Sequence, residues 1–184
     1  MVTPGNKQNC LLRKCYEMIF VTVGSQLPFD RFIRAVDEIA PLLSGKEIIA
    51  QVFGMKYQPR NIQTLDYIAP AEFRDYVQSA ELIVSHAGTG TILSVSELKK
   101  PLIVFPRSGR LRETRSDHQM ATCRMLEKTC GLQVAYNEEE LARKIQDFLE
   151  NKLPVMDPIS PFASDELIAS IRDFIRPQSV LRLL

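Results

Sequence analysis

Short apolar runs rich in β-branched residues alternate along this chain with longer segments in which apolar positions recur every three or four residues. Met18-Ile-Phe-Val-Thr-Val23, Ile48 to Phe53, part of Ile62 to Ile68, Leu82-Ile-Val84, Leu102-Ile-Val-Phe105 and Leu132 to Ala135 read as six strands. Phe29, Phe32, Ile33, Val36 and Ile39 fall on one helical face, with Asp30 in the first turn and Pro41 marking the end. Pro70 opens a second helix through Ala80, and a third runs from the segment after Val84 to about Lys100. A fourth spans Asp117 to Gly131, and Asn137 with Glu140 forms a capping pair for a fifth that reaches Leu149. Pro154, Pro158 and Pro161 make a stiff connection to a last helix with an apolar stripe of Leu167, Ile168, Ile171, Phe174 and Ile175.

Strands that are apolar throughout and alternate with helices predict a parallel sheet covered on both faces, a doubly wound α/β domain. Ligands in such sheets bind beyond the carboxyl ends of the strands. Three segments leave those ends with unusual chemistry: Gly24-Ser-Gln26, Ser85-His-Ala-Gly-Thr-Gly-Thr91 and Arg107 to Gln119.

Composition narrows the function classes. The chain has 184 residues, 45% hydrophobic and 24% charged, as in ordinary globular domains, and a core of that size needs no disulfide or metal. A formal net charge of +1 gives no global pull toward nucleic acid or membrane. Residues 1–17 read as a disordered extension, 18–150 as the domain, and 151–184 as the proline-rich connection and terminal helix. Met18 is a possible translation start. No run is long enough to span a bilayer and no signal peptide is legible, so a cytosolic protein is expected. Cys123 and Cys130, seven apart on a helix, read as small core residues, and the four cysteines form no metal pattern.

Each candidate segment has a plain alternative. Gly88 and Gly90 let backbone amides approach a ligand, the following helix N-terminus favours a diphosphate, and Thr89 and Thr91 add hydroxyls, although a two-glycine turn can be merely structural. Gly24-Ser25 offers a second amide-rich turn. Asp117, His118 and Gln119 present carboxylate, imidazole and amide groups suited to sugar hydroxyls, or Asp117 simply caps a helix. Arg107, Arg110, Arg112 and Arg115 form either a solvated loop or, through Arg107, a phosphate contact. The glycine spacing fits neither a dinucleotide fingerprint nor a Walker loop, and no serine nucleophile elbow is present.

Four segments occur in an order that resembles a known family: Ile19-Phe-Val-Thr-Val-Gly-Ser25, Ser85-His-Ala-Gly-Thr-Gly-Thr91, Lys100-Pro-Leu-Ile-Val-Phe-Pro-Arg107 and Asp117-His-Gln119. They are similar to the donor-binding domain of glycosyltransferases related to the peptidoglycan lipid-intermediate N-acetylglucosaminyltransferase. The free-standing forms are the nearer resemblance: the dolichol-pathway catalytic subunit and, through Phe29-Asp-Arg31 and Pro106-Arg107, the small subunits of bacterial exopolysaccharide and capsule transferases. The likeness covers roughly Met18 to Leu149.

This resemblance implies the Rossmann-like half of a GT-B glycosyltransferase, completed by a membrane-associated partner that binds a lipid-linked acceptor and recruits the chain to the inner membrane face. It implies an inverting transfer from a UDP-sugar to a polyprenyl-diphosphate-linked saccharide, with no metal or other cofactor. Ser85 to Thr91 would hold the diphosphate with His86 close by, Tyr67 and Ile68 would lie against uracil, and His118 and Gln119 would meet the sugar. Gly24 and Ser25 would face the interdomain cleft. The general base is expected on the partner, with His86 the candidate in this chain. One position departs: Ser94 stands where relatives usually carry a ribose-binding glutamate, and Glu97 lies about one helical turn further on. Either Ser94 contacts the ribose more weakly or the nucleotide preference differs. Alternatives are a self-sufficient small transferase and a non-catalytic nucleotide-sugar-binding assembly subunit. The last helix is open to two readings, docking on the partner or packing back on the domain.

Overall fold

The structure is a computed structural model, which describes residues 18–43 and 45–175. Six parallel strands form one sheet: β1 (Met18–Thr22), β2 (Glu47–Gln51), β3 (Gln63–Leu65), β4 (Leu82–His86), β5 (Leu102–Phe105) and β6 (Gln133–Val134). Their order across the sheet is β3-β2-β1-β4-β5-β6. The chain winds outward from β1 in one direction, then returns and winds outward in the other. The switch point of this Rossmann-like order lies between β1 and β4, where Ile19 pairs with Leu82 and Thr22 with Ser85.

Alternation along β1 explains how both faces are covered. Ile19, Val21 and Val23 enter one core with α1 (Asp30–Ile39) and α5 (Glu138–Leu149), through Phe32, Ile33, Val36, Leu141 and Ile145. Met18 and Phe20 enter the other, beneath α2 (Pro70–Ser79), α3 (Thr89–Glu97) and α4 (His118–Cys130), with Val77, Ile92, Val95 and Cys123. Every residue of β1 is buried, as a strand sandwiched between two helical layers requires. Cys123 and Cys130 are buried free thiols, and burial pushes the Cys123 thiol up to about 12, so it packs as a small apolar group.

The expected elements appear with local adjustments. Helix α1 stops at Ile39, and Pro41 sits inside a 3-10 turn, Ala40–Leu42, where its missing amide is tolerated. The Asn137 side chain accepts from the Glu140 amide at 2.8 Å and donates to the Glu140 carboxylate at 3.0 Å, the predicted capping pair. Gly131 ends α4 in the left-handed conformation at φ 68°. Strand β4 runs further than expected, to His86, so Ser85 and His86 are strand residues and the turn begins at Ala87.

Two α1 carboxylates shape the long β2–β3 connection. Buried Asp37 accepts from the Tyr57 hydroxyl at 2.8 Å and from the amides of Arg60 and Asn61 at 3.0 and 2.7 Å. Asp30 accepts from the Lys56 amide at 3.1 Å. Beyond α5, the proline-rich connection is strapped to the domain. Asp157 donates its amide to the Cys130 carbonyl at 2.8 Å, and the Ile159 amide meets Ser96 Oγ at 2.9 Å. The final helix, α6 (Asp165–Ile175), buries none of its residues, and Phe174 is 91% exposed. Packing back on the domain, one of the two readings of the apolar stripe, is therefore not found. Residues 1–17 and Val180-Leu-Arg-Leu-Leu184 lie outside the described residues.

Candidate functional site

The site gathers at the carboxyl ends of β1, β4 and β5, because parallel strands deliver all their following turns to one edge of the sheet. A cavity of about 370 Å3 is lined by Val23 to Leu27, His86, Gly88, Gly90, Thr91, Arg107, Thr114, His118 and Gln119. A second, of about 430 Å3, adjoins it and shares Gly24, Ser25, Gly90 and Thr91, continuing past Thr22, Gln51, Tyr67, Ile68, Phe73 and Ser94. Through these shared residues the two form one trough across the switch point.

Its centre is two glycine turns closed on one imidazole. A Cβ at Gly88 would lie 2.2 Å from His86 Nε2, and one at Gly24 would lie 2.7 Å from His86 Cε1. Gly24 also has φ +79°, a conformation disfavoured for other residues. The two glycines thus let the β1 and β4 turns approach each other across the ring. The Gly24 turn is fixed by strand-end polar groups: the Thr22 hydroxyl donates to Gln51 Oε1 at 2.7 Å and accepts from the Gly24 amide at 3.2 Å, while Gln51 Nε2 donates to the Gly24 carbonyl at 3.3 Å. Gly88 precedes α3, and the amides of Thr89, Gly90 and Thr91 have no carbonyl within the helix to bond. This free amide edge and the helix dipole make the trough favourable for an anion.

His86 is neutral at physiological pH. Burial, reinforced by the positive charge of Arg107, lowers its pKa to about 4, which the Thr22 carbonyl offsets only in part. Its Nδ1 is buried with no hydrogen-bond partner of normal geometry.

Arg107 has a different task from the phosphate contact expected of it. It is 3% exposed, and its guanidinium donates to the carbonyls of Pro28, Leu27 and Val23 at 2.6, 2.7 and 3.0 Å while lying 4.3 Å from the Phe29 ring centre. The backbone amide of Arg107 donates to Gln119 Oε1 at 3.0 Å. One residue therefore ties the β1 loop to the first turn of α4, joining two walls of the cavity. Burial lowers its pKa to about 10, so it stays charged at neutral pH. Behind it, Arg31 grips Glu113 at 2.6 and 2.9 Å, and Glu113 accepts from the Ser108 amide at 2.9 Å, anchoring the arginine-rich loop to α1.

The other expected site residues divide clearly. Gly24, Ser25, Tyr67, Ile68, His86, Gly88, Gly90, Thr91, Arg107, His118 and Gln119 line the trough. Thr89 lines neither of its cavities. Asp117 is also outside it: its carboxylate accepts from the Gly109 amide at 2.7 Å and faces a separate depression with Arg110 and Arg124. It makes no helix-capping bond either. His118 is exposed at the cavity, with Nδ1 2.9 Å from Ser116 Oγ. Thr22, Gln51, Phe73 and Thr114 were not anticipated. Gln51 carried a signal, as a polar residue that follows the apolar Ile48-Ile-Ala50 in β2. Among the described residues no group of three or more His, Cys, Asp or Glu side chains is placed to hold a metal ion.

A parallel sheet with glycine turns and an open helix N-terminus at its switch point makes this a Rossmann-like domain. The sequence profile of the glycosyltransferase family 28 C-terminal domain matches residues 18–165, and the chain belongs to that family. Over 96 residues it is 27% identical to the UDP-N-acetylglucosamine transferase subunit ALG13 of Candida albicans, a match covering 52% of this chain and 31% of that relative. The chain thus spans about a third of that relative's length.

Solved structures share the fold, the Rossmann-like half of the GT-B architecture. An NMR structure of ALG13 superposes with a TM-score of 0.52 at 18% identity, covering 85% of this chain and 94% of that one. MurG of Acinetobacter baumannii gives 0.50 at 17% identity, over 74% of this chain and 42% of that one. The UDP-GlcNAc 2-epimerase of Neisseria meningitidis, solved with UDP-GlcNAc, gives 0.54 at 12% identity, over 89% and 46%. The same fold therefore serves proteins of different reaction types.

Two outcomes are expected. His86 binds a proton far less readily when folded, its pKa being lowered from 6.5 to about 4, so its contribution is complete above pH 6.5 and is lost as pH falls toward 4. Urea unfolding should show the wild type losing about 2–3 kcal/mol more than His86→Gln between pH 7 and pH 4.5; parallel losses would contradict this. Arg107→Lys keeps the charge but not the fork, and should cost about 2–4 kcal/mol in the same assay. A change within 0.5 kcal/mol, taken as roughly the surface-substitution level, would show the clasp to be dispensable.

Proposed function

We propose that this chain is the donor-binding subunit of a two-component, inverting glycosyltransferase that moves a hexose-type sugar from a UDP-sugar to a polyprenyl-diphosphate-linked saccharide. The observation that carries this is the trough, whose two arms share the amide-rich turns and differ in chemistry. The diphosphate sits where the arms join, against Gly24, Ser25 and the free amides of Thr89, Gly90 and Thr91. The base lies in the arm with Ile68, Phe73 and the 75% exposed Tyr67 ring. The sugar lies in the arm with Thr114, His118 and the Gln119 amide.

Departure of UDP is assisted by preorganised amides and hydroxyls where the two arms join. Arg107 contributes its charge through space, since its donors are engaged by the β1 loop, and no metal is invoked. Neutral His86 supports the turns and is not assigned the role of acceptor base; that base comes from the partner. Ser94 gives the nucleoside arm a neutral hydroxyl where a carboxylate would grip the ribose diol more firmly. The family membership and the word "subunit" in the ALG13 name support a split enzyme. Helix α6 offers the partner an uncovered apolar face. The exopolysaccharide or capsule setting rests on Phe29-Asp-Arg31 and Pro106-Arg107. Position at the cytoplasmic membrane face follows from a lipid-linked acceptor, and no helix among the described residues is long and apolar enough to cross a membrane itself. A non-catalytic nucleotide-sugar-binding subunit is the second reading, favoured by Ser94.

Calorimetric titration with UDP and then with UDP-glucose, UDP-galactose, UDP-N-acetylglucosamine and UDP-glucuronate tests the assignment. Saturable UDP binding is expected, with one sugar preferred. His118→Ala should erase that preference, worth about 1–3 kcal/mol, while sparing UDP itself. Absence of UDP binding both alone and with the co-expressed partner would overturn the proposal.

A further inference from the structure

The loop between β5 and α4 carries chemistry that the trough does not use. It is an ordered turn: the amides of Leu111 and Glu113 bond the Ser108 carbonyl at 3.2 Å each, and the Arg112 amide bonds the Gly109 carbonyl at 3.0 Å. Its two carboxylates are engaged within the loop. Glu113 is held by Arg31 and the Ser108 amide, and the exposed Asp117, which shares a depression with Arg110 and Arg124, accepts from the Gly109 amide. On the adjoining helix, Glu127 accepts from the Tyr136 hydroxyl at 2.5 Å.

The cations of the same stretch are treated in the opposite way. Arg110, Arg112, Arg115, Arg124 and Lys128 are all exposed, and among the described residues none of them forms an ion pair. Arg110 and Arg124 line one shallow depression, which brings the loop and α4 together, and Lys128 follows Arg124 by one helical turn. Between these charges stand two large apolar side chains, Leu111 at 58% and Met125 at 56% exposure.

We propose that this face, Arg110 to Arg115 with Arg124, Met125 and Lys128, docks directly on an anionic phospholipid surface. Exposed cations on an ordered loop and helix, with apolar side chains between them, match a bilayer interface, where guanidinium groups meet phosphates and a leucine enters the headgroup boundary. A nucleic-acid surface would call for stacking rings, and none of Arg110 to Lys128 is aromatic apart from His118, which belongs to the trough. The choice of a membrane rests on the donor-site reading in one respect: a lipid-linked acceptor puts the trough beside a bilayer, and Thr114 of this loop lines the trough. The contact would add to recruitment by the partner, aligning the trough with the lipid surface.

The test is flotation of the full chain with vesicles of phosphatidylcholine alone or with about a third phosphatidylglycerol, at low and high salt. Binding is expected only to the anionic vesicles and should weaken at high salt. The triple variant Arg110→Gln, Arg112→Gln, Arg115→Gln should bind them roughly 100-fold more weakly, at about 1 kcal/mol per cation. The matching triple lysine variant should bind close to wild type. UDP titration of the glutamine variant should match wild type, since none of the three lines the trough. Equal uptake by neutral and anionic vesicles, no uptake by either, or wild-type binding by the glutamine variant would each overturn the proposal. Retention on single-stranded RNA without vesicle uptake would overturn it in favour of a nucleic-acid surface. Loss of UDP binding with vesicle binding intact would sink the donor reading alone.

Discussion

The geometry of the trough depends on one buried cation. The Arg107 fork bonds three carbonyls of the β1 loop, and its backbone amide holds Gln119 at the start of α4. A loop that leaves a strand carries carbonyls with no ladder partner, and burying them unpaired would be costly. A guanidinium satisfies three at once from one plane, which an ammonium cannot do. The result is a cavity whose walls are set before any ligand arrives, so ligand binding need not supply the energy of ordering them.

The same cation shapes the electrostatics of the switch point. Burial, reinforced by this charged arginine, keeps the neighbouring imidazole neutral, and the neutral ring can then pack against two glycine turns. The free amides of α3 add a second, dispersed positive field along the same edge. An anion entering the trough meets oriented dipoles and a fixed charge, with little reorganisation needed. Direct ion pairing by Arg107 is unnecessary for this, and its burial explains why a residue with phosphate-binding chemistry serves as a clasp.

The sheet was legible because β1, β4 and β5 are largely apolar runs bounded by glycine, proline or polar residues, and strand alternation with helices leaves few topologies open, whereas the edge strand β3, Gln63-Thr-Leu65, is polar and largely exposed. The glycine segments were legible as sites because a glycine in such a turn has local meaning. What stayed hidden depends on distant contacts. Arg107 finds its carbonyls 79 to 84 residues away, so the arginines that follow it in the chain suggested a solvated or phosphate-binding loop. Asp117 was assigned to the sugar because it adjoins His118, yet one step along the chain at a helix start turns a side chain toward another neighbour, here the Gly109 amide. The Thr22–Gln51 pair joins two strands and has no local signature beyond a polar residue at each strand end.

In the proposed function the β1 and β4 turns form a single cradle for the diphosphate of a nucleotide. An amide chemical-shift titration of the isotopically labelled chain with UDP tests this directly. Gly24, Ser25, Thr89, Gly90 and Thr91 should move together along one saturable isotherm, accompanied by Tyr67 and Ile68. Shifts that spare these amides and gather elsewhere, for example around the depression lined by Lys46, Arg60 and Gln63, would contradict it.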